Sequence, residues 1–442
     1  MRVIPFKVST RMWHAPSGQQ ITTPPAVIEK IKKAFDLWGS VKEAGLVFRY
    51  DGQVDKDYTS FAQVPEDGTV YVILNNWDIG QCYDGLSRHF GNIPGSYKGG
   101  VSLINTKKGI QTVRADILIH EIGHALGIEL HGASPANVMN AAGMSWGISE
   151  YFLLSEQDRA DLIAKWSPEF PGLYSISGRV NTSLPEQKLD EAKMASVFAV
   201  NVENGHAYSA KTTDQDGHFT IFMLKSGDYR VFTKATEPLY YQNPAPQRPS
   251  WYVSDGQSTN DPYGGKILHV NKYTHNIKDI VIKMIDQPVP FNLFNAGQTY
   301  GKDSPFCFML PGDQTRFQIQ YKGLMSVESY GSHPDYTLSN LELEPTFKET
   351  YFVNVAVDSK AEPGERLVIA KGRPGEAVQA GLLGVNVVDA VPQMLSPGAL
   401  SDMEQQITGK APPLDPVSAQ IEKLKKQGAH LMVYKNGHYE PL

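Results

Sequence analysis

Residues 112–139 read T-V-R-A-D-I-L-I-H-E-I-G-H-A-L-G-I-E-L-H-G-A-S-P-A-N-V-M, and three of the twelve histidines of the chain fall inside them. Val113, Ile117, Ile122, Ala125 and Leu126 supply an apolar face at helical spacing, with Thr112 as N-cap. On such a helix His120 and His124 stand at i and i+4, about 5–6 Å apart at Cβ. Two imidazole nitrogens there can reach one ion at about 2.0–2.1 Å. Glu121 follows the first of them and would lie beside the open coordination position, as a general base acting on bound water. Gly127 tolerates the positive φ that ends and reverses a helix, so His131 could return to the ion as a third ligand. Three protein ligands plus water make an open site of the catalytic kind.

H-E-I-G-H-A-L-G, then His131, then Met139 in N-V-M-N, resembles the metzincin zinc peptidases, nearest their matrixin (matrix metalloproteinase) branch. The resemblance implies one catalytic Zn2+ on His120, His124 and His131, Glu121 as the base, and Met139 as the floor beneath the metal. One departure stands out. The family places its third histidine three residues after the glycine, where this chain has Leu130, so a one-residue insertion is expected before His131. The other reading takes the third ligand from Glu150 or Glu156. A tyrosine that some metzincins carry two residues after the methionine is replaced by Ala141. L-S-E-Q-D-R-A-D-L-I-A-K-W, ending at Trp166, resembles the matrixin closing helix; Ser155 and Asp158 form a capping-box-like start, and Leu162, Ile163 and Trp166 its apolar side. The resemblance implies that the strand Gly100–Asn105 is the edge that pairs with extended substrate. Met144, Trp146, Tyr151 and Phe152 either line a specificity pocket or pack as core. Gly91–Asn105 has no histidine, so a second structural zinc site is not carried over; Ca2+ is left open, with no site mapped.

Charged residues make up 20% of the 442 and the net charge is −6, which argues against nucleic acid and anionic membrane surfaces. No run approaches the roughly 18 apolar residues of a membrane span, and no signal peptide is read at the N-terminus. By resemblance the protein acts secreted or at the cell surface. Two cysteines, Cys82 and Cys307, exclude a disulfide scaffold. No pro-segment holding a zinc-bound cysteine is expected.

In chain order, Arg2–Ser9 reads as a strand and Thr23–Ser40 as a helix capped by Thr23, with Val27, Ile28, Ile31, Phe35 and Trp38 on one face. Leu46–Tyr50 and Thr69–Leu74 read as strands, and Asn75–Gly100 as loop. Residues 167–175 form a linker. Short strands follow, and S-G-R-V with T-D-Q-D-G-H-F-T-I resembles a carboxypeptidase-regulatory-like, transthyretin-like module. Asp214, Asp216 and Gly217 make a hairpin turn or half a calcium loop. An insertion from Glu237 to Asn276 carries Tyr240, Tyr241, Trp251, Tyr252 and Tyr263, which either bind carbohydrate or peptide or pin the loop to its sheet.

The fold class expected is therefore multidomain: an α+β zincin domain (1–170), then all-β Ig-like sandwiches (175–286, carboxypeptidase-regulatory-like; 287–395), then a linker with a helix-hairpin tail (396–442). The function expected is that of a zinc endopeptidase acting on protein or peptide, including glycoprotein. The other reading, from a different class, is an inactive zincin serving as a surface binding or adhesion protein through its β-domains. Oligomeric state is not readable.

Overall fold

The computed structural model describes residues 1–14, 17–74, 84–108, 113–129, 131–132, 134, 137–140, 151–181, 195–211, 217–235, 247–288, 295–299, 307–320, 323–343, 345, 350–373, 379–388, 393–394, 432–435 and 438–441. Leu130, Ala141, Met144, Trp146, Glu150, Cys82, Asp214, Asp216, Tyr240, Tyr241 and the tail helix lie outside them.

The first unit is a mixed sheet. Its strands are β1 (Arg2–His14), β2 (Gln19–Thr22), β3 (Leu46–Val54), β4 (Val70–Leu74), β5 (Gly85–His89) and β6 (Gly100–Ile104), in the order β2-β1-β4-β6-β5 with β3 also on β1. Strands β1, β3, β4 and β6 run parallel. Val70–Leu74 and Gly100–Ile104 are buried at every position, as parallel strands covered on both faces must be. Helices α1 (Pro25–Gly39) and α2 (Ala115–Ala125) join this unit's main core. Phe6 stacks on Phe35 at 3.9 Å, and Trp38 Nε1 donates to Ile119 O at 2.9 Å. A smaller cluster, including Tyr58, Tyr71, Phe90 and Leu103, is separate from it. Lys30 sits on the apolar side of α1, buried, its Nζ donating to Val113 O at 2.8 Å. Thr23 does not cap α1; its hydroxyl donates to Ser9 O instead.

Two expectations change here. Gly100–Ile104 is an interior strand between β4 and β5, and the antiparallel edge is β5, within a stretch read as loop. An edge strand with one covered face has a weak apolar pattern, and Gly85–His89 alternates half-buried with exposed positions.

After β7 (Tyr151–Phe152), helix α3 (Glu156–Trp166) begins with a full Ser155/Asp158 capping box. The remainder is β. Strands β8 (Tyr174–Asn181), β9 (Ala195–Asn201), β10 (His206–Lys211), β11 (His218–Met223), β12 (Gly227–Ala235), β13 (Gln247–Arg248), β14 (Ser250–Ser254), β15 (Gln257–Thr259), β16 (Leu268–Val270) and β17 (Asn276–Lys283) come first. Then come β18 (Ile285–Pro288), β19 (Asn295–Thr299), β20 (Cys307–Met309), β21 (Gln314–Gln320), β22 (Ser326–Ser329), β23 (Tyr336–Leu343), β24 (Thr350–Val357), β25 (Gly364–Lys371) and β26 (Gln379–Val387). A ten-stranded sheet has the path β15-β14-β12-β9-β10-β25-β26-β20. Residues of its β9 and β12 share a core with the three-stranded sheet β11-β8-β17.

The fold class is thus corrected. With three short strands at Gln393–Met394, Met432–Lys435 and His438–Pro441, the described residues form 29 strands against three α-helices and are predominantly β. Strands from before and after residue 300 pair directly, His206 with Arg366 and Ala207 with Glu365, so one sheet runs through this β-half. That pairing joins segments far apart in sequence, which local patterning cannot reveal.

Asp158 is fully buried and accepts hydrogen bonds from Val138 N (3.0 Å), Met139 N (3.1 Å), Ser155 N (2.9 Å) and the Ser155 hydroxyl (2.7 Å). Asp158→Ala strands these donors and is expected to cost on the order of 3–5 kcal/mol in denaturant unfolding. Desolvation pushes the carboxyls of buried Glu365 and half-buried Asp161 up to about 8. Their folded pKa exceeds the unfolded value, so the stability they contribute is present below about 4 and is lost as pH rises through about 8. Unfolding free energy is expected to fall between pH 5 and pH 8 in part through these groups, and Asp161→Asn to flatten that slope.

Candidate metal centre

Helix α2 presents His120 and His124 side by side, ring centroids 4.6 Å apart. His120 Nδ1 lies 2.7 Å from Val138 O, and His124 Nδ1 lies 2.6 Å from Ile128 O. A carbonyl only accepts, so each Nδ1 carries a hydrogen and each neutral ring offers an Nε2 lone pair. Those lone pairs converge: His124 Nε2 is 3.0 Å from His120 Nε2 and 3.2 Å from His131 Nε2. All three ligand atoms lie within 4.8 Å of one another. Around an ion at about 2.05 Å from each nitrogen, the two shorter separations subtend about 94° and 103°, close to tetrahedral. The set fits a divalent transition metal on these grounds. Backbone carbonyls on Nδ1 are the outer-shell partners that orient such ligands. Burial holds the His124 imidazolium below its ordinary range, which favours the neutral, ligating form.

Local chemistry explains this placement. Gly127 adopts φ +90°, Gly127 N donates to His124 O at 2.9 Å and Ile128 N to Gly123 O at 3.0 Å, a Schellman stop. The chain then turns back to His131. Gly132 N donates to Met139 O at 2.9 Å and Asn140 Nδ2 to Ser134 O at 2.7 Å, closing the returning loop. Met139 is fully buried against α2: a Cβ on Gly123 would lie 2.5 Å from its Sδ.

Glu121 is turned towards edge strand β5. Ser87 Oγ donates to its Oε2 at 2.7 Å, and a Cβ on Gly85 would lie 2.4 Å from its carboxyl oxygen. Burial, the largest cause, pushes this carboxyl up to about 8; the Ser87 bond opposes the shift and Asp84 adds to it. Glu156 is not among the clustered ligand atoms, and its Oε2 lies 3.4 Å from the Tyr208 hydroxyl. Tyr151 contributes backbone to a short pairing with residues 393–394. Nothing in the sequence patterning marked Gly85, Ser87 or the bracing of the histidine loop, since each contact joins segments distant in sequence.

No family model matches the chain, and no curated protein matches it. Among solved structures, a Bacteroides ovatus mixed-linkage glucan utilization locus protein, SGBP-B with a mixed-linkage heptasaccharide, is 13% identical over 47% of this chain and 39% of its own, with TM-score 0.15. A titin Ig tandem is 12% identical over 49% of this chain and 99% of its own, at 0.16. Domains 5-6 of the S-layer protein SbsC are 9% identical over 50% of this chain and 82% of theirs, at 0.15. TM-scores this low define no shared fold.

The expectation of a matrixin-like catalytic domain with a catalytic zinc, followed by a separate carboxypeptidase-regulatory-like module, is corrected on the structure itself, where one sheet runs through the β-half. The cluster able to hold a metal among the described residues is the three histidines alone, without the Glu121 carboxyl that was expected beside them. The carboxyl expected to serve as base accepts from Ser87.

Gly127→Ala is expected to cost on the order of 2–4 kcal/mol in thermal unfolding. The positive φ is strained for alanine, and the added Cβ would meet Ile93 Cδ1 at 2.2 Å.

Proposed function

We propose that this chain is a binding protein of the cell surface or extracellular space whose β-half carries recognition of a protein or glycoprotein partner. One observation carries the reading: a file of aromatic rings that crosses the β-half and ends at its surface. Phe198 stacks on Phe232 (4.8 Å), Phe232 meets Trp251 (4.4 Å), Trp251 stacks on Tyr330 (5.6 Å) and Tyr330 on Tyr263 (5.4 Å). Trp251 and Tyr330 are buried, whereas Tyr263 is 46% exposed. The Tyr330 hydroxyl donates to Pro262 O and accepts from Arg230 Nη1, both at 3.2 Å, which fixes the ring beneath Tyr263. An exposed ring backed by others loses little freedom when a sugar face or planar side chain stacks on it. Trp251 and Tyr252 of the same insertion are core, so pinning and binding divide among its aromatics. No helix among the described residues is long and apolar enough to cross a membrane.

In this reading His120, His124 and His131 hold a divalent transition metal that ties the returning loop to α2. Three protein ligands leave one position for water or a partner's donor atom.

Binding of immobilised mucin, native and deglycosylated, is the test for the aromatic file. Tyr263→Ala is expected to weaken retention about tenfold, the scale of one lost stacking contact. Equal retention by wild type and Tyr263→Ala removes the file from the account. For the metal, cobalt(II) titration is expected to give one equivalent with tetrahedral absorption, lost in His124→Ala.

A further inference from the structure

We propose that the β-half completes the three-histidine site, with Glu365 of β25 acting through Ser134 as the positioning residue for His131. This rests on the metal-site reading above and goes beyond it, because it makes the site depend on a residue far outside the helix that carries the other two ligands.

His120 and His124 project from α2, whereas His131 arrives on the returning loop, where Ser134 follows three residues later. Ser134 is buried, and its hydroxyl donates to the buried carboxyl of Glu365, 231 residues away. A second brace lies beside the first. Asn137 Oδ1 accepts from Ser134 N at 3.2 Å and from the Ser209 hydroxyl at 3.4 Å, and Ser209 N donates to Gln157 Oε1 at 2.9 Å. Ser209 belongs to β10 and Glu365 to β25, and these strands pair through Ala207 and Glu365. Two neighbouring strands of the large sheet thus present one hydroxyl and one carboxyl to the loop.

Glu365 itself is held in place. The adjacent Arg366 is fully buried and forms a bidentate pair with Asp335, 2.7 Å on each branch, while its Nη2 also donates to Glu362 O at 2.6 Å. An aliphatic side chain at 365 would fill the same space without burying a carboxyl, which is costly. What the carboxyl adds is direction. It fixes one hydroxyl, and with it the loop segment three residues from a ligand. Loss of outer-shell partners of this kind weakens metal sites about 10–100-fold.

Cobalt(II) titration of the full chain, read by absorption and by X-ray absorption fine structure, tests this. Wild type is expected to bind one equivalent with three imidazole nitrogens. Glu365→Ala and Ser134→Ala are expected to bind about 10–100-fold more weakly, with the imidazole count falling to two. Glu365→Gln can still accept from Ser134 and is expected to restore most of the affinity and the wild-type spectrum. Glu328→Gln removes a half-exposed pair with Lys371 at the far end of β25 and is expected to leave both unchanged. If Glu365→Ala fails to fold, Ser134→Ala decides. Wild-type affinity and imidazole count in the folded Ser134 and Glu365 variants overturn the positioning role; absence of cobalt binding in wild type overturns the metal site itself, and the inference with it.

Discussion

A buried polar seam governs this molecule. Asp158, at the start of α3, accepts four hydrogen bonds, two of them from the backbone of Val138 and Met139. A buried carboxyl is tolerable only where donors surround it, and here the donors belong to different segments. Val138 in turn offers its carbonyl to His120. Asn137, next along, reaches Ser155 on one side and Ser209 of the β-half on the other. The helix start, the backbone at Met139, a histidine tautomer and the large sheet are therefore fixed together. Moving one leaves a buried polar atom of another without its partner.

The parts of this arrangement that were legible beforehand are those decided within a few residues. The i, i+4 placement of His120 and His124, the positive φ at Gly127 and the Ser155/Asp158 capping box all follow from local chemistry. Lys30 is the counterexample inside a helix. Its charge reads as solvent-facing, yet a free carbonyl at Val113, just before α2, lets it be buried. The edge strand β5 was missed because its alternation is mostly polar. Pairing of β10 with β25 was invisible because it joins residues about 160 apart, and Glu365 was unremarkable until the fold set it on Ser134.

The family inference failed differently. The residues from His120 to Met139 carry a strong local likeness to a peptidase site, and the three imidazoles do converge. Yet no family model matches the chain, and the Glu121 carboxyl stands outside the cluster, bonded to Ser87. A motif states what a segment can do, whereas function depends on what the rest of the molecule does with it. Here the rest is a β-rich body braced against the histidine loop, with a stiffened aromatic file reaching its surface.

The central claim is the proposed reading that the chain acts by binding, set against the peptidase expectation. The most direct measurement loads wild type and Glu121→Gln with a divalent transition metal, incubates each with an unfolded protein mixture, and maps any new termini by mass spectrometry. The account expects the same termini from both, none of them sensitive to chelator. New termini made by wild type, abolished by chelator and missing with Glu121→Gln, would contradict it.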